Sequence, residues 1–285
     1  MAIHIPLAAE PVFHLGSFVV TNTLVSAGVS TIMFVLIAFG LRRSSAASPT
    51  RFQIFMEMVL EGMMGFFDQV THDRVKTRKF LPFVGTLFLF ILVSNWMGLL
   101  PGTGSIGVWH TVAGQLEFVP LLRPAHSDLN LTLALALCTI VGSHVLGVAS
   151  LGWWVHLNKF IQLEGFVSAF GSLSPIKILT AFVEFIVGII ELFGEIAKIA
   201  SLSLRLFGNV FAGEVLITVI TSLIAYGAPL PFMALEIMVG VVQAVVFSTL
   251  TLVYLTLMTM APHGADGHDH EDKHTAAGIQ PVGAH

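Results

Sequence analysis

Five stretches of this chain stay apolar for longer than a soluble fold requires: residues near 18–41, 80–100, 129–151, 176–225 and 230–260. The hydrocarbon core of a bilayer is roughly 30 Å thick and takes about 20 helical residues to cross. Inside it, a helix satisfies all its own backbone hydrogen bonds. The pattern therefore predicts an all-α integral membrane protein with about five transmembrane helices. Composition agrees, since 55% of the 285 residues are hydrophobic and only 11% are charged, whereas charge makes up about 25% of soluble domains.

The first two stretches are separated by a segment of another kind. Residues 51–70, RFQIFMEMVLEGMMGFFDQV, set Glu57, Glu61 and Asp68 among Phe and Met, which suits an interfacial amphipathic helix or one packed on the bundle. Arg42, Arg43, Arg51, Arg74, Lys76, Arg78 and Lys79 all fall in the 42–79 loop, while the 101–127 loop has only Arg123. Positive residues mark cytoplasmic loops. This puts the N-terminal segment 1–17 outside, the first span at 18–41, and spans two and three within 80–151. The 152–174 loop, with Lys159 and with Lys177 just beyond it, is then cytoplasmic, as is the tail 261–285. No Lys or Arg precedes the first apolar stretch, so no cleaved signal is expected. Trp96, Trp109, Trp153 and Trp154 fall near span ends, where interfacial aromatics belong.

From Pro175 to the Tyr226-Gly227-Ala228-Pro229 break there is no internal proline, and an unbroken helix of that length measures about 75 Å. To stay within the apolar layer it must lean by about 65° or bend, far beyond the ordinary tilt of about 20°. The last stretch is about 45–50 Å by the same rise. Residues 175–260 therefore predict a long tilted hairpin.

Glu184, Glu191, Glu195, Lys198, Arg205 and Glu214 all lie in the first arm of that hairpin. Each charge costs about 2.5–3.5 kcal/mol at the centre of a span. Turning about 100° per residue from Arg205, the residues Glu191, Gly194, Lys198, Ser201, Gly208, Asn209 and Ala212 fall within about 60° of it. Ile189, Leu192, Ile196, Phe207 and Val210 fall opposite. A smooth, polar face bearing one arginine suits a closely approaching neighbour. Glu214, about 180° away, should point into the chain's own bundle. Arg205 cannot shuttle protons, because a guanidinium does not deprotonate in proteins, but it can act as a fixed positive charge on a nearby carboxylate. Glu191 and Glu195 lie toward the cytoplasmic end, and Glu214 and Glu236 toward the other, with Gln243 two turns beyond Glu236. Paired structural charge, such as Glu195 with Lys198, is the plainer reading of any one of these groups.

Other classes find little support. A net charge of -4 with no dense basic face argues against nucleic acid. HExxH, GxSxG and paired CxxC are missing, Cys138 is the single cysteine, and His144 is the one histidine well inside a span, so no metal or cofactor is expected and a two-histidine haem lacks its second ligand. An ion-coupled secondary transporter is the alternative function, since slanted helices with midplane charge occur there too, but no second copy of the 176–260 pattern is present. The tail, with HGADGHDHEDKH, reads as a solvated segment or as a weak metal site at His268, Asp269, His270 and Glu271.

The segment SLSLRLFGNVFAGE, residues 201–214, resembles the signature of F-type ATP synthase subunit a, in which an arginine is followed by Leu-Phe-Gly-Asn and then by Ala-Gly-Glu. The similarity extends back through Glu191 and Lys198 and forward to Gln243 and Tyr254. It includes SNWMGLLPG (94–102) and DLNLTLALAL (128–137), and covers most of residues 80–260. The resemblance implies that Arg205 is the stator arginine facing the carboxylates of a rotor c-ring and separating two proton half-channels. Asn209, Glu214, Glu236 and Gln243 would line the outer one; Glu191, Glu195, Lys198 and Ser201 would line the cytoplasmic one. Asp128 and Asn130 match a family pattern and equally suit a cap on the third span. Implied partners are the c-ring, the subunit b peripheral stalk, other ATP synthase subunits and membrane lipid, in a bacterial inner membrane.

Overall fold

The computed structural model describes residues 9–42, 50–100, 102–103, 106–112, 115–161, 175–224 and 227–260. The His-rich tail and most of the 152–174 loop lie outside them. Seven α-helices occur among the described residues: α1 (Asn22–Arg42), α2 (Arg51–Thr71), α3 (Arg74–Gly98), α4 (Leu129–Leu151), α5 (Trp153–Ile161), α6 (Pro175–Leu223) and α7 (Pro229–Thr259). Four are long and apolar enough to cross a membrane: Asn22–Gly40, Arg74–Gly98, Leu129–Leu151 and Pro229–Thr259. The stretch expected to make the fourth of five crossings forms α6, a helix of 49 residues that is not one of these four. The protein is an all-α integral membrane protein.

Two short hairpins add to this. Strands β1 (Pro11–Leu15) and β2 (Phe18–Thr21) pair antiparallel, as do β3 (Gly107–Val112) and β4 (Gln115–Pro120). The first corrects the expected start of span one. Gly16 takes φ +64 in the tight turn, which glycine adopts readily, so residues 18–21 extend as a strand. Helix α1 begins only at Asn22, whose backbone N–H donates to the Glu10 carbonyl at 3.1 Å.

Side-chain caps fix the start of α2 and α3. Thr50 accepts from the Gln53 N–H at 3.2 Å. Asp73 Oδ1 accepts from Val75 and Lys76 N–H groups at 2.9 and 3.3 Å, satisfying donors that the first helical turn leaves open. Helix α2 buries Met63, Phe67 and Thr71 at four-residue spacing and leaves Phe52, Phe55 and Met58 exposed, so it has one face packed on the bundle and apolar side chains turned outward as well.

The chain divides into two compact units, Met1–Ser143 with Gly194–Thr256, and His144–Phe193 with Leu257–His285. In the first, Leu87 and Ile91 of α3, Ala136 and Ile140 of α4, Leu202 and Leu206 of α6, and Ala244 and Phe247 of α7 form one buried cluster. Small residues let these helices approach. A Cβ on Gly142 would come within 2.7 Å of the Phe83 ring, and one on Gly240 within 3.3 Å of Asn95. The Trp96 indole donates to the Ile237 carbonyl at 3.2 Å, tying the end of α3 to α7. In the second unit, Gly147 sits against His156 and the Met258 carbonyl. There, Ile176, Leu179, Phe182, Ile190 and Phe193 are exposed, as apolar side chains facing lipid can be.

Candidate functional site

Helix α6 turns a buried edge and an open edge to its surroundings within the first unit. Leu202, Leu206 and Val210 are buried, whereas Ala197, Ser201, Arg205, Gly208 and Ala212 are exposed. The open edge is therefore smooth, with one guanidinium at its middle. Arg205 Nη2 donates to Ser201 Oγ at 3.5 Å, one turn away on the same edge. Val210 alone of the apolar set opposite Arg205 is buried; Leu192 and Ile196 are exposed at 57% and 61%.

Asn209, one turn beyond Arg205, donates from Nδ2 to Gln243 Oε1 of α7 at 3.5 Å. Gln243 is buried, and its Nε2 has no partner among the described residues. Farther along, at the end of the bundle where α3 stops and α4 starts, lies a cavity of about 300 Å³ lined by Asn95, Thr103, Arg123, Glu214, Thr218 and Glu236, among others. Glu214 turns inward, in keeping with its angular position. Arg123 Nε donates to its two oxygens at 2.8 and 3.2 Å, and Arg123 Nη2 to Oε2 at 3.1 Å. The Arg123 side chain is only 3% exposed and that of Glu214 20%. Glu236 reaches the same cavity from α7, its carboxylate resting on Gly213.

A buried polar pair extends this region. His126 Nδ1 and Asn95 Oδ1 are 2.9 Å apart, and the Phe90 ring stands edge-on to the imidazole. Complete burial pushes the His126 imidazole down to about 3, so the ring is neutral and must donate at Nδ1 to reach a carbonyl oxygen. His126 Nε2 and Asn95 Nδ2 have no partner among the described residues. Buried polar atoms left this way are ordinarily met by internal water. Asn95 also packs against Gly240, between Glu236 and Gln243 on α7. Asn95 thus lines the cavity with Glu214 and Glu236, while Asn209 and Gln243 bond each other one turn from Arg205.

Toward the N-terminal side of Arg205 on α6, Lys198 Nζ donates to Glu195 Oε1 at 2.6 Å and stands 5.2 Å from the centre of the Tyr254 ring, a cation–π distance. Glu195 is buried. Glu191 is half-buried in the second unit, and Ser201 bonds to Arg205 rather than to this acid and base.

Three groups here escaped the sequence reading. Arg123 served only as the single cation of its loop, although a lone cation on the same side as Glu214 was the available signal. Asn95 was legible as one polar side chain in an apolar run; His126 carried no signal. Two further expectations change. Asp128 Oδ1 accepts from the Asn130 N–H at 2.9 Å, as a cap does, while Oδ2 accepts from Thr23 Oγ1 at 3.1 Å, which fastens α4 to α1. His144 does not stand alone: its Nδ1 lies 3.1 Å from His156 Nε2. The two rings bond each other edge to face, at 5.3 Å between centroids, and no group of three or more potential metal ligands occurs among the described residues.

These elements define a helical membrane protein with an acid-lined cavity at one end of its bundle and an exposed arginine farther back along α6. The chain belongs to the ATP synthase subunit a family, the family model described as ATP synthase A chain matching residues 23–256. It is 35% identical over 248 residues to ATP synthase subunit a of Mycobacterium marinum, covering 85% of this chain and 88% of that one. It is 30% identical over 244 residues to the subunit a of Moorella thermoacetica, covering 86% and 93%. ATP synthase subunit a 2 of a Bradyrhizobium strain is 29% identical over 254 residues, covering 88% and 94%.

Proposed function

We propose that this chain is the stator of a rotary ATP synthase membrane sector, guiding protons to and from a ring of c subunits past Arg205. As a member of its family it is the proton-translocating membrane subunit and no enzyme by itself. The observation that carries the finer reading is the position of Arg205. It lies exposed at the centre of a smooth helix edge, with an acid-lined cavity beyond it in one direction and the Glu195–Lys198 pair in the other.

Protons enter from the outer side along Glu236 and Glu214, pass Asn95, Gln243 and Asn209 through bound water, and neutralise a rotor carboxylate. The neutral carboxyl then turns into lipid. On the other side of Arg205 the proton leaves past Ser201, Lys198, Glu195 and Glu191 to the cytoplasm. The guanidinium, cationic at every accessible pH, attracts each returning carboxylate and bars direct passage between the two routes. About 2.3 kcal/mol is available per charge per 100 mV. The N-terminus is outside and the C-terminus cytoplasmic, in a bacterial inner membrane, with subunit b of the peripheral stalk and the remaining ATP synthase subunits as partners.

Replacing Arg205 with alanine tests this. Coupled synthesis by the reconstituted complex is expected to vanish, with passive proton flow through the membrane sector in its place. Full synthesis by the variant overturns the proposal.

A further inference from the structure

Four cations crowd the first six residues of α3: Arg74, Lys76, Arg78 and Lys79, every one exposed. The corner that presents them is held by its own hydrogen bonds. Between α2 and α3 the chain turns at His72, which takes φ 52, and the hydroxyls of Thr71 and Thr77 bond each other and the Asp73 carbonyl. Asp73 already caps the first turn of α3 and stands 3.8 Å from Lys76 Nζ. The open donors of the helix start, and one of the four cations, are therefore engaged. Arg74 and Arg78 make no ion pair among the described residues. They lie one turn apart, and with Val75 and Lys79 they line an open recess of about 480 Å³ that no carboxylate enters.

The depth of this recess selects its occupant. Helix α3 is one of the four able to cross a membrane, and its buried apolar side chains begin at Phe80, so the cations end a span at headgroup level. Helix α2, joined to it by the corner, turns Phe52, Ile54, Phe55 and Met58 outward, side chains that suit the boundary between headgroups and acyl chains. We propose that the recess at the α2–α3 corner binds the phosphate of an anionic phospholipid. The planar guanidinium groups of Arg74 and Arg78 offer forked donors to its oxygens, Lys79 adds charge, and Val75 meets the glycerol end of the acyl chains. The outward Phe and Met side chains favour lipid over an acidic segment of a neighbouring subunit, which brings no acyl chain to cover them. A lipid held there fastens the corner at headgroup depth and so fixes how far α3, with the helices packed on it, stands in the membrane. The site requires that α3 cross the bilayer and takes nothing from the proposed proton path.

The test is native mass spectrometry of the full-length chain in neutral detergent, titrated with short-chain phosphatidylglycerol, short-chain phosphatidylcholine or inorganic phosphate. Phosphatidylglycerol is expected to bind about 25-fold more tightly than phosphatidylcholine, about fivefold for each arginine at a membrane surface. R74Q/R78Q should erase that preference. Arg74→Gln or Arg78→Gln alone should each remove about fivefold of it, which keeps the test open if the double variant fails to insert. Arg42, Arg43, Arg51, Lys76 and Lys79 remain in the same loop to orient it. Arg51→Gln removes a cation of that loop that does not line the recess and should leave the preference unchanged. Equal affinity for the two lipids overturns the proposal, as does a loss in Arg51→Gln matching that in Arg78→Gln, the mark of diffuse charge. Inorganic phosphate binding as tightly as phosphatidylglycerol would make this a site for a free anion and overturns it too. The complete ATP synthase complex in mixed vesicles of the two lipids supplies the last arm: photoactivatable phosphatidylglycerol should label the peptide bearing residues 74–79. Labelling of the isolated chain that disappears in the complex would mean that a neighbouring subunit covers the recess, and the proposal would fall.

Discussion

The carboxylate of Glu236 rests on the Cα of Gly213, so a methyl group at position 213 and the acid at 236 would claim the same space. Gly213→Ala is therefore expected to push Glu236 from the cavity without emptying the core. Proton uptake by the reconstituted complex should fall by about tenfold or more, as displacements near 1 Å do at chemical sites. Shortening the acid, in G213A/E236D, should recover part of it. Uptake in Gly213→Ala equal to that of the parent would mean that the contact does not set the carboxylate's position.

Removing both acids tests whether the cavity belongs to the path. Glu214→Gln with Glu236→Gln leaves the helices and the Asn209–Gln243 contact intact and takes away every carboxylate lining this space. Uptake should drop by about 10²-fold, the typical contribution of a positioned proton-transfer group. Flux that does not change would take both residues out of the path.

The exposed edge of α6 makes a steric prediction. Gly208 and Ala212 are exposed, and an added Cβ at Gly208 finds open space among the described residues. Gly208→Leu should therefore leave the stability of the isolated chain within about 0.5 kcal/mol while preventing close approach of the c-ring. Loss of the ring during purification, with a normally folded chain, is the expected result. A complex that keeps its ring and its synthesis rate would place the interface elsewhere.

His126 supplies a pH dependence whose sign can be worked out. Above about pH 6.5 the imidazole is neutral in the folded and unfolded chain alike. As pH falls through that value the unfolded chain takes up a proton that the folded one excludes until about pH 3. Stability from this group therefore declines on acidification across that window, by about 1.4 kcal/mol per pH unit. Thermal unfolding of the detergent-solubilised chain should show this slope, and His126→Gln should flatten it. Parallel slopes in the two proteins would contradict the prediction.

The helices were legible because lipid imposes one simple requirement, a sufficient run of apolar side chains, and Pro175 and Pro229 mark helix starts that the chain alone announces. The exposed arginine was legible for the same reason, since a charge within such a run stands out. The two hairpins were not. Their strands are four to six residues long, too short for periodicity to separate them from loop or helix. The partners of the acids were hidden by distance along the chain: Arg123 and Glu214 are 91 positions apart and Asn95 and His126 are 31 apart, with no local pattern to link them. Likewise, His144 looked solitary because His156 belongs to the next helix.

The cavity at the closing end of α3 has an electrical consequence on the proposed path. Water in such a notch shares the potential of the medium it opens to, so the transmembrane voltage drops mainly across the drier protein beyond it. A proton descending to Glu236 gathers little of the roughly 2.3 kcal/mol per 100 mV; nearly all of it is delivered along the short stretch of α6 around Arg205. The depth of the notch, more than the thickness of the bilayer, would then set how steeply the driving field falls.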